Sequence, residues 1–298
     1  MGTDKQPLIS VIMACYNAAP FVAEAVSSVL QQTIANTEVV VVDDGSDDAS
    51  PEIVTRLSDE HPGRVRLVHM KHSGPYPARN AGLGVARGDY IAFLDADDWW
   101  RQDCLEVLLT TLRENDADLA YCGWQNVGQH KLDPQPYIPP AYEEDDPVLA
   151  FLRACPWPIH AALVRKPVLE AIGGFSERYF SSMDYDLWLR VLAHTTRIVR
   201  APEVLAYYRW HGDGQISATR WKQVMNAIQV RRDFIQQHPD MVKHLERETI
   251  DTLVDGQLLN EAYRNYWSRD LANAQQLFRA AFARRAWHTR ELKYLQPA

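Results

Sequence analysis

The sequence predicts an α/β fold: a mostly parallel sheet flanked by helices, followed by a helical C-terminal extension. Three observations carry this. Short apolar runs alternate with helix-spaced patterns over the first 125 residues. Those runs are continuously apolar, as strands buried on both faces require. From about Thr219 onward only helical patterning remains. With 298 residues, 46% of them hydrophobic, there is enough chain for one substantial core and a smaller lobe.

Leu8–Cys15 (LISVIMAC) reads as a buried strand and Phe21–Gln32 as the helix after it. Glu38–Val42 is the second strand, running into Asp43-Asp44-Gly45-Ser46. Pro51–Glu60 follows as a helix, with Ser50 expected as its N-cap and Pro51 in its first turn. Val65–His69 is the third strand, and Pro77–Arg87 a helix that Gly88 is expected to stop. Tyr90–Leu94 is the fourth strand, followed at once by Asp95-Ala96-Asp97-Asp98. Asp103–Asn115 reads as a helix and Leu119–Trp124 as a strand. Asp133–Pro147, rich in Pro, Tyr and acid, reads as a loop. Beyond it come a strand at Ala161–Arg165, a helix at Asp184–His194 and a strand at Val204–Trp210. The tail divides into helices over Arg220–His238, Asp240–Tyr266 and Asp270–Arg285.

Charge is unevenly placed. Residues 1–219 hold 18 Lys and Arg against 30 Asp and Glu, a net −12; residues 220–298 hold 13 against 9, a net +4. The acidic front half argues against nucleic acid as the main partner and suits a domain that gathers carboxylates around a cation. Cys15, Cys104, Cys122 and Cys155 are scattered, with no C-x-x-C pair and no zinc spacing. Free buried thiols in a reducing cytoplasm are therefore expected. No run approaches the roughly 20 apolar residues of a membrane span, and the polar Met1–Pro7 does not read as a signal peptide.

In open parallel sheets, ligands bind outside the carboxyl ends of the strands. Here those ends carry Ala14-Cys15-Tyr16-Asn17, Asp43-Asp44 and Asp95-Ala96-Asp97-Asp98. Two acidic clusters at neighbouring strand ends repel each other unless a cation or a donor-rich ligand lies between them. A divalent metal with a diphosphate supplies the cation, and a nucleobase with its ribose supplies the donors. Mg²⁺ or Mn²⁺ takes one or two carboxylates together with phosphate oxygens, and neutralises charge on a leaving diphosphate. The plainer role for any one of these aspartates is a helix cap or turn residue, which Asp98 before Trp99-Trp100 suits best.

The ordered segments SVIMACYN, VVVVDDGSDD and GPYPARNAGLGVARGDYIAFLDADD resemble family 2 of the glycosyltransferases. The resemblance covers about the first 215 residues and implies a GT-A-like, Rossmann-type sheet. It implies a catalytic domain over 1–218, with a nucleotide-sugar half 1–125 and an acceptor half 126–218, and a helical extension over 219–298. It implies that Asp44 binds the base, typically uracil, with Asp43, Tyr16 and Asn17 nearby and Gly74, Arg79 and Ala96 along the nucleotide. It makes Asp97 the principal ligand of Mn²⁺ or Mg²⁺ and Asp95 a contact to ribose or metal. In Ser182-Met183-Asp184-Tyr185-Asp186-Leu187-Trp188-Leu189-Arg190, Asp184 falls on the family's catalytic base. Met183 stands where the family usually has Glu, which implies a changed acceptor pocket. Tyr207-Tyr208-Arg209-Trp210-His211 with Ser217 resembles the family's closing motif, and places His211 at the metal or diphosphate.

The implied activity is inverting transfer from a nucleotide-sugar to a glycan, lipid-linked or small-molecule acceptor. Asp184 also suits a plain helix cap, since free amides and the dipole favour a carboxylate there. Gly82-Leu83-Gly84-Val85-Ala86-Arg87-Gly88 has the wrong spacing for a dinucleotide loop and reads as helix packing and a C-cap. Trp99, Trp100, Trp157 and Trp188 suit core positions. Trp157, between Pro156 and Pro158, is the best candidate for an acceptor contact. Arg284-Arg285-Ala286-Trp287-His288 suits either a solvated helix face or a peripheral contact with the inner face of a membrane. Two rivals stand beside the transferase. A sugar nucleotidyltransferase needs a basic, Gly-rich N-terminal loop, and Ala14–Pro20 has no Lys, Arg or Gly. A non-catalytic carbohydrate-binding or assembly protein has no use for both Asp97 and Asp184.

Overall fold

A computed structural model describes residues 8–128, 135–210 and 220–284. The chain divides into two compact units: residues 1–147, 156–177 and 194–211 in the first, and 148–155, 178–193 and 212–298 in the second.

The first unit is built on one sheet. Its strands are β1 (Ile9–Cys15), β2 (Thr37–Asp43), β3 (Val65–His69), β4 (Tyr90–Phe93), β5 (Trp99–Trp100), β6 (Leu119–Gly128), β7 (Ala162–Arg165) and β8 (Ile198–Trp210). They lie in the order β3-β2-β1-β4-β7-β6-β8-β5. The β3-β2-β1-β4 half is parallel, with Ile9 opposite both Thr37 and Tyr90. The other half is mixed. β7 runs antiparallel to β4 and β6, β5 antiparallel to β8, and β6 parallel to β8 with register shifts around Gly123. The mostly parallel sheet of the sequence is thus a parallel half joined to a mixed half. A four-residue and a two-residue strand carry too little pattern for their direction to be read.

Continuous apolar runs do become two-faced core strands. Ile9, Val11, Ile12 and Met13 are fully buried, as are Val40, Val41 and Val42. Each contributes about 1.5–3 kcal/mol through removal from water. One residue breaks the pattern: Glu38 sits in β2 at 1% exposure. Its carboxylate accepts from Ser10 Oγ at 2.6 Å and from Arg87 Nε, Nη2 and backbone N–H at 2.8, 2.6 and 2.7 Å. Burial pushes this carboxyl up, but the Ser10 and Arg87 hydrogen bonds and the Arg87 charge outweigh it, leaving it below its ordinary value.

Helices α1 (Val22–Leu30), α2 (Ser50–Glu60), α3 (Pro75–Val85) and α4 (Cys104–Glu114) connect these strands. Two expected end signals differ. α2 begins at Ser50 itself; the Ser50 hydroxyl accepts from Ala18 N–H at 2.9 Å, and Asp48 accepts the Ser50 N–H at 2.9 Å. α3 ends before Gly88, which is not its cap. A Cβ on Gly88 would stand 2.6 Å from the Ser10 nitrogen, so glycine here lets the chain pass β1. Gly82 does serve packing: a Cβ there would stand 2.5 Å from Ile12 Cγ2. Of the four thiols, Cys15, Cys104 and Cys122 are buried and Cys155 is exposed.

α5 (Pro147–Arg153) falls almost wholly in the second unit and α6 (Lys166–Ala171) in the first; the second unit continues with α7 (Met183–His194) and α8 (Arg220–Gln237). The expected helix Asp240–Tyr266 is broken into α9 (Pro239–Val242), α10 (Arg247–Asp251), a π turn (Thr252–Gly256) and α11 (Gln257–Trp267). No Gly or Pro marks the first break, at residues 243–246. α12 (Leu271–Ala283) follows, capped by Asp270 accepting from Asn273 N–H. Ile228, Val254, Leu258, Ala262, Leu277 and Phe278 form the core here. No described helix is long and apolar enough to cross a membrane.

Candidate active site

The carboxyl ends of β1, β2 and β4 lie side by side, because β1 pairs with both of the others. At the end of β2, Asp44 is 2% exposed. Its two carboxylate oxygens accept the backbone N–H groups of Ser73 and Gly74, each at 2.8 Å. Asp44 thereby fixes the loop that leads into α3. Gly45 has φ +75°, and a Cβ there would stand 2.9 Å from the His72 nitrogen, so the turn needs glycine to let that loop approach. His72 Nδ1 lies 3.1 Å from the Asp44 carbonyl oxygen and 3.0 Å from its Oδ2. The imidazole stacks on Tyr16, ring centres 4.3 Å apart, and Tyr16 is 49% exposed. Asn17, at φ +50°, ties the first loop to the second: its N–H donates to Ser46 Oγ and its Oδ1 accepts from Asp47 N–H, both at 3.0 Å. Asp43 is buried and accepts from Ser46 N–H at 3.3 Å, with His69 Nδ1 3.4 Å away.

Beyond β4, Arg79 from α3 forms a close ion pair with Asp95. Arg79 is itself buried and packs against the Tyr76 and Phe175 rings at 5.7 and 5.5 Å. Ala96 is buried; Asp97 is half-buried. The Asp97 carbonyl accepts from Arg209 Nε at 2.8 Å, and Asp98 Oδ1 accepts the Arg209 N–H at 2.7 Å. Asp98 is the structural member of the cluster. At 1% exposure its Oδ2 sits 3.0 Å from Nδ1 of the fully buried His160. Burial pushes the Asp98 carboxyl up to about 6, against the pull of His160 and with a push from Asp97 and Asp95. Burial pushes His160 down, but the Asp98 charge, with Asp95 and Asp97 behind it, outweighs this and leaves the imidazole above its ordinary value. Trp100 Nε1 donates to the His160 carbonyl at 2.7 Å, locking the loop to the strand below.

Among the described residues, no three or more His, Cys, Asp or Glu side chains come together as a ready-made cation cage. Asp95 and Asp97 supply carboxylate oxygens only, and one Asp95 oxygen is held by Arg79. That donor set fits Mg²⁺ or Mn²⁺ in the manner of sites that diphosphate oxygens complete. His211 lies outside the described residues.

In the second unit, Asp184 opens α7, half-buried in its first turn. Asp186 is a buried structural residue, paired with Arg178 at 2.8 Å and Arg190 at 2.7 Å. One expectation about the acceptor side needs correction. Trp157 is 1% exposed and lies flat on Tyr121, ring centres 4.2 Å apart, so it is a core side chain with no face for an acceptor. Met183 is fully buried. His72 and His160 are the site residues that sequence reasoning missed. Neither sits in a recognisable spacing; the Asp44 and Asp98 carboxylates that hold them were the only visible signal. Residues 285–288 of the basic C-terminal end lie outside the described residues.

Solved structures share this fold. S. aureus TarS 1–349 in complex with UDP-GlcNAc matches with a TM-score of 0.64 at 18% identity, over 95% of this chain and 93% of that one. Mannosyltransferase PcManGT from Pyrobaculum calidifontis, in complex with GDP-Man and Mn²⁺, matches with a TM-score of 0.64 at 22% identity, over 98% and 79%. Both establish the GT-A-like architecture. Among curated relatives, the uncharacterized glycosyltransferase EpsJ of Bacillus subtilis is 35% identical over 46% of this chain and 39% of its own length. The E. coli UDP-Glc:α-D-GlcNAc-diphosphoundecaprenol β-1,3-glucosyltransferase WfaP is 27% identical over 75% of this chain and 85% of its own. The chain spans 39%, 65% and 34% of the first three relatives it matches, less than two thirds of each. The model of glycosyl transferase family 2 matches residues 10–173, more than half of the 298, and the chain belongs to that family.

Proposed function

We propose that the protein transfers a sugar from a nucleoside diphosphate donor, UDP-linked by preference, to an acceptor hydroxyl with inversion. The observation that carries this reading is the pair of acidic strand ends on either side of β1. Asp44 is buried and committed to one loop, and the Asp95–Asp97 turn is braced by Arg79 and Arg209. Carboxylates at the ends of strands that both neighbour β1 favour a ligand that brings a cation to one group and hydrogen-bond donors to the other.

In this reading Tyr16, Asn17, Asp43 and Asp44, with the Gly74 turn, form the base and ribose side. Arg79, Asp95 and Ala96 line the nucleotide, with Asp97, Asp95 and His211 as the residues that would hold Mn²⁺ or Mg²⁺. When bound, the ion neutralises the charge that grows on the departing diphosphate. Asp184 accepts the proton of the acceptor hydroxyl as general base. The acceptor oxygen bonds to the anomeric carbon from the face opposite the diphosphate, the bond to the diphosphate oxygen breaks, and the nucleoside diphosphate leaves with that electron pair. The relatives' names favour a lipid-linked acceptor, since WfaP acts on a GlcNAc-diphosphoundecaprenol.

The test pairs binding with turnover. Wild-type protein should gain thermal stability from one nucleotide-sugar in the presence of Mn²⁺. Asp184→Asn should keep that gain and lose transfer by at least about 100-fold. Normal transfer by Asp184→Asn removes the base assignment; no metal-dependent nucleotide binding removes the transferase reading in favour of a non-catalytic role.

A further inference from the structure

The five residues before α7 are held at several points, and four of the side-chain hydrogen bonds that hold them come from a single stripe of α8. Asp233 Oδ2 accepts from Arg178 Nη1 at 2.8 Å and from the Tyr179 hydroxyl at 2.7 Å. Gln229 Nε2 donates to Asp233 Oδ1 at 2.8 Å and fixes that carboxylate in turn. Asn226 Nδ2 donates to the buried Ser181 Oγ at 2.9 Å, and the Ser182 hydroxyl donates to the Gln223 carbonyl at 3.4 Å. Gln223, Asn226, Gln229 and Asp233 recur every three or four positions, so they share one helix face. Asp186, inside α7, adds its own holds: its carboxylate accepts from Arg178 Nη2 at 2.8 Å and its N–H donates to the Ser182 carbonyl at 3.1 Å. Ser182, at φ +65°, pays backbone strain that these contacts over-determine.

One side chain in the segment takes no part. Phe180 is 66% exposed, between neighbours that are each tied down. A large apolar ring left in water on a fixed loop is the arrangement that favours binding, since little freedom remains to be lost on contact. It lies four chain steps from Asp184, so the two Cα atoms are at most about 14 Å apart even at full extension. That keeps the ring within reach of whatever sugar presents its hydroxyl to Asp184.

We propose that the segment 178–182, clamped by α8, reads the acceptor, and that Phe180 is its specificity-determining contact, stacking on the apolar face of the acceptor's sugar ring. This rests on the reading of Asp184 as the base. It also gives the helices after residue 219 a role: they are the frame of the acceptor loop. Asp233 and Asn226 are then positioning residues.

The test uses the full chain. The acceptor is the best substrate among a panel of methyl glycosides and the matching glycosyl diphosphoundecyl compounds. Phe180→Ala should raise acceptor KM about tenfold on both the methyl and the undecyl member. Its kcat and its thermal stabilisation by donor with Mn²⁺ should stay at the wild-type level, and Phe180→Tyr should restore KM. Asp233→Asn should raise acceptor KM in the same direction, again without moving donor stabilisation. An unchanged KM in Phe180→Ala, with Asp184→Asn inactive, overturns this proposal alone. An effect confined to the undecyl compound overturns the sugar-face assignment in favour of the lipid chain. Transfer by Asp184→Asn, or no transfer by wild type to any panel member, removes the proposed function and this inference with it.

Discussion

Replacing Asp44 with Asn tests whether this carboxylate is first a structural clasp. Its two oxygens hold the Ser73 and Gly74 N–H groups at 2.8 Å from a site 2% exposed. A hydrogen bond to a charged acceptor contributes about 1.5–3 kcal/mol, so the pair gives roughly 4–5 kcal/mol. In Asp44→Asn the amide oxygen keeps one neutral bond of about 1 kcal/mol, while the amino group faces the other N–H donor to donor. The gross loss is about 3–4 kcal/mol. Ser73 is exposed and Gly74 half-buried, so water reclaims the one freed N–H group and brings the net cost to about 2 kcal/mol. In a body of this size that lowers Tm by about 4–8 °C. Circular dichroism reads the global effect, and amide exchange reads the local one: Ser73 and Gly74 should lose protection while β1 and β2 keep theirs. A Tm within about 1 °C of wild type, with both amides still protected, refutes the clasp.

Two further outcomes follow from the core. The Glu38 carboxyl lies below its ordinary value when folded, so its contribution is complete above the unfolded value of about 4.3 and is lost as pH falls through the folded one. Glu38→Gln should therefore cost about 2 kcal/mol at pH 7, where Arg87 loses its buried partner. It should also flatten the loss of stability below about pH 4.3, read from urea midpoints against pH. Trp157→Ala should cost about 3–5 kcal/mol in urea unfolding, because the ring is 1% exposed and stacked on Tyr121. At a temperature where the variant stays folded its acceptor KM should be unchanged, and a raised KM at unchanged stability would return Trp157 to the acceptor site.

The parallel half of the sheet was legible because its strands are mostly apolar and β2 and β4 run straight into clustered carboxylates. Asp43-Asp44 and Asp95-Ala96-Asp97 stand out for that reason, and Arg79 was placed near them. What escaped is what depends on distant partners. Glu38 looks like an ordinary polar residue at a strand start until Arg87 and Ser10 meet it in space. His72 and His160 carry no spacing of their own. Trp99–Trp100 is too short to show a period, and β7 too short to show a direction. Trp157, between two prolines, reads as a loop residue in the sequence, and only the Tyr121 ring it meets in space shows that it is core.

The clamp on residues 178–182 also sets an order of events during synthesis. Arg178 and Asp233 lie 55 residues apart in the chain. At about 5–20 residues per second, the segment leaves the ribosome roughly 3–11 seconds before the helix that holds it exists. Through that interval Ser182 has no reason to keep its left-handed backbone, and Phe180 and Met183 are open to chaperones and proteases alike. The segment assigned to the acceptor is thus completed only after α8 has been made. A nascent chain can complete its sheet, with the strand ends assigned to the nucleotide, well before it can complete the site for transfer.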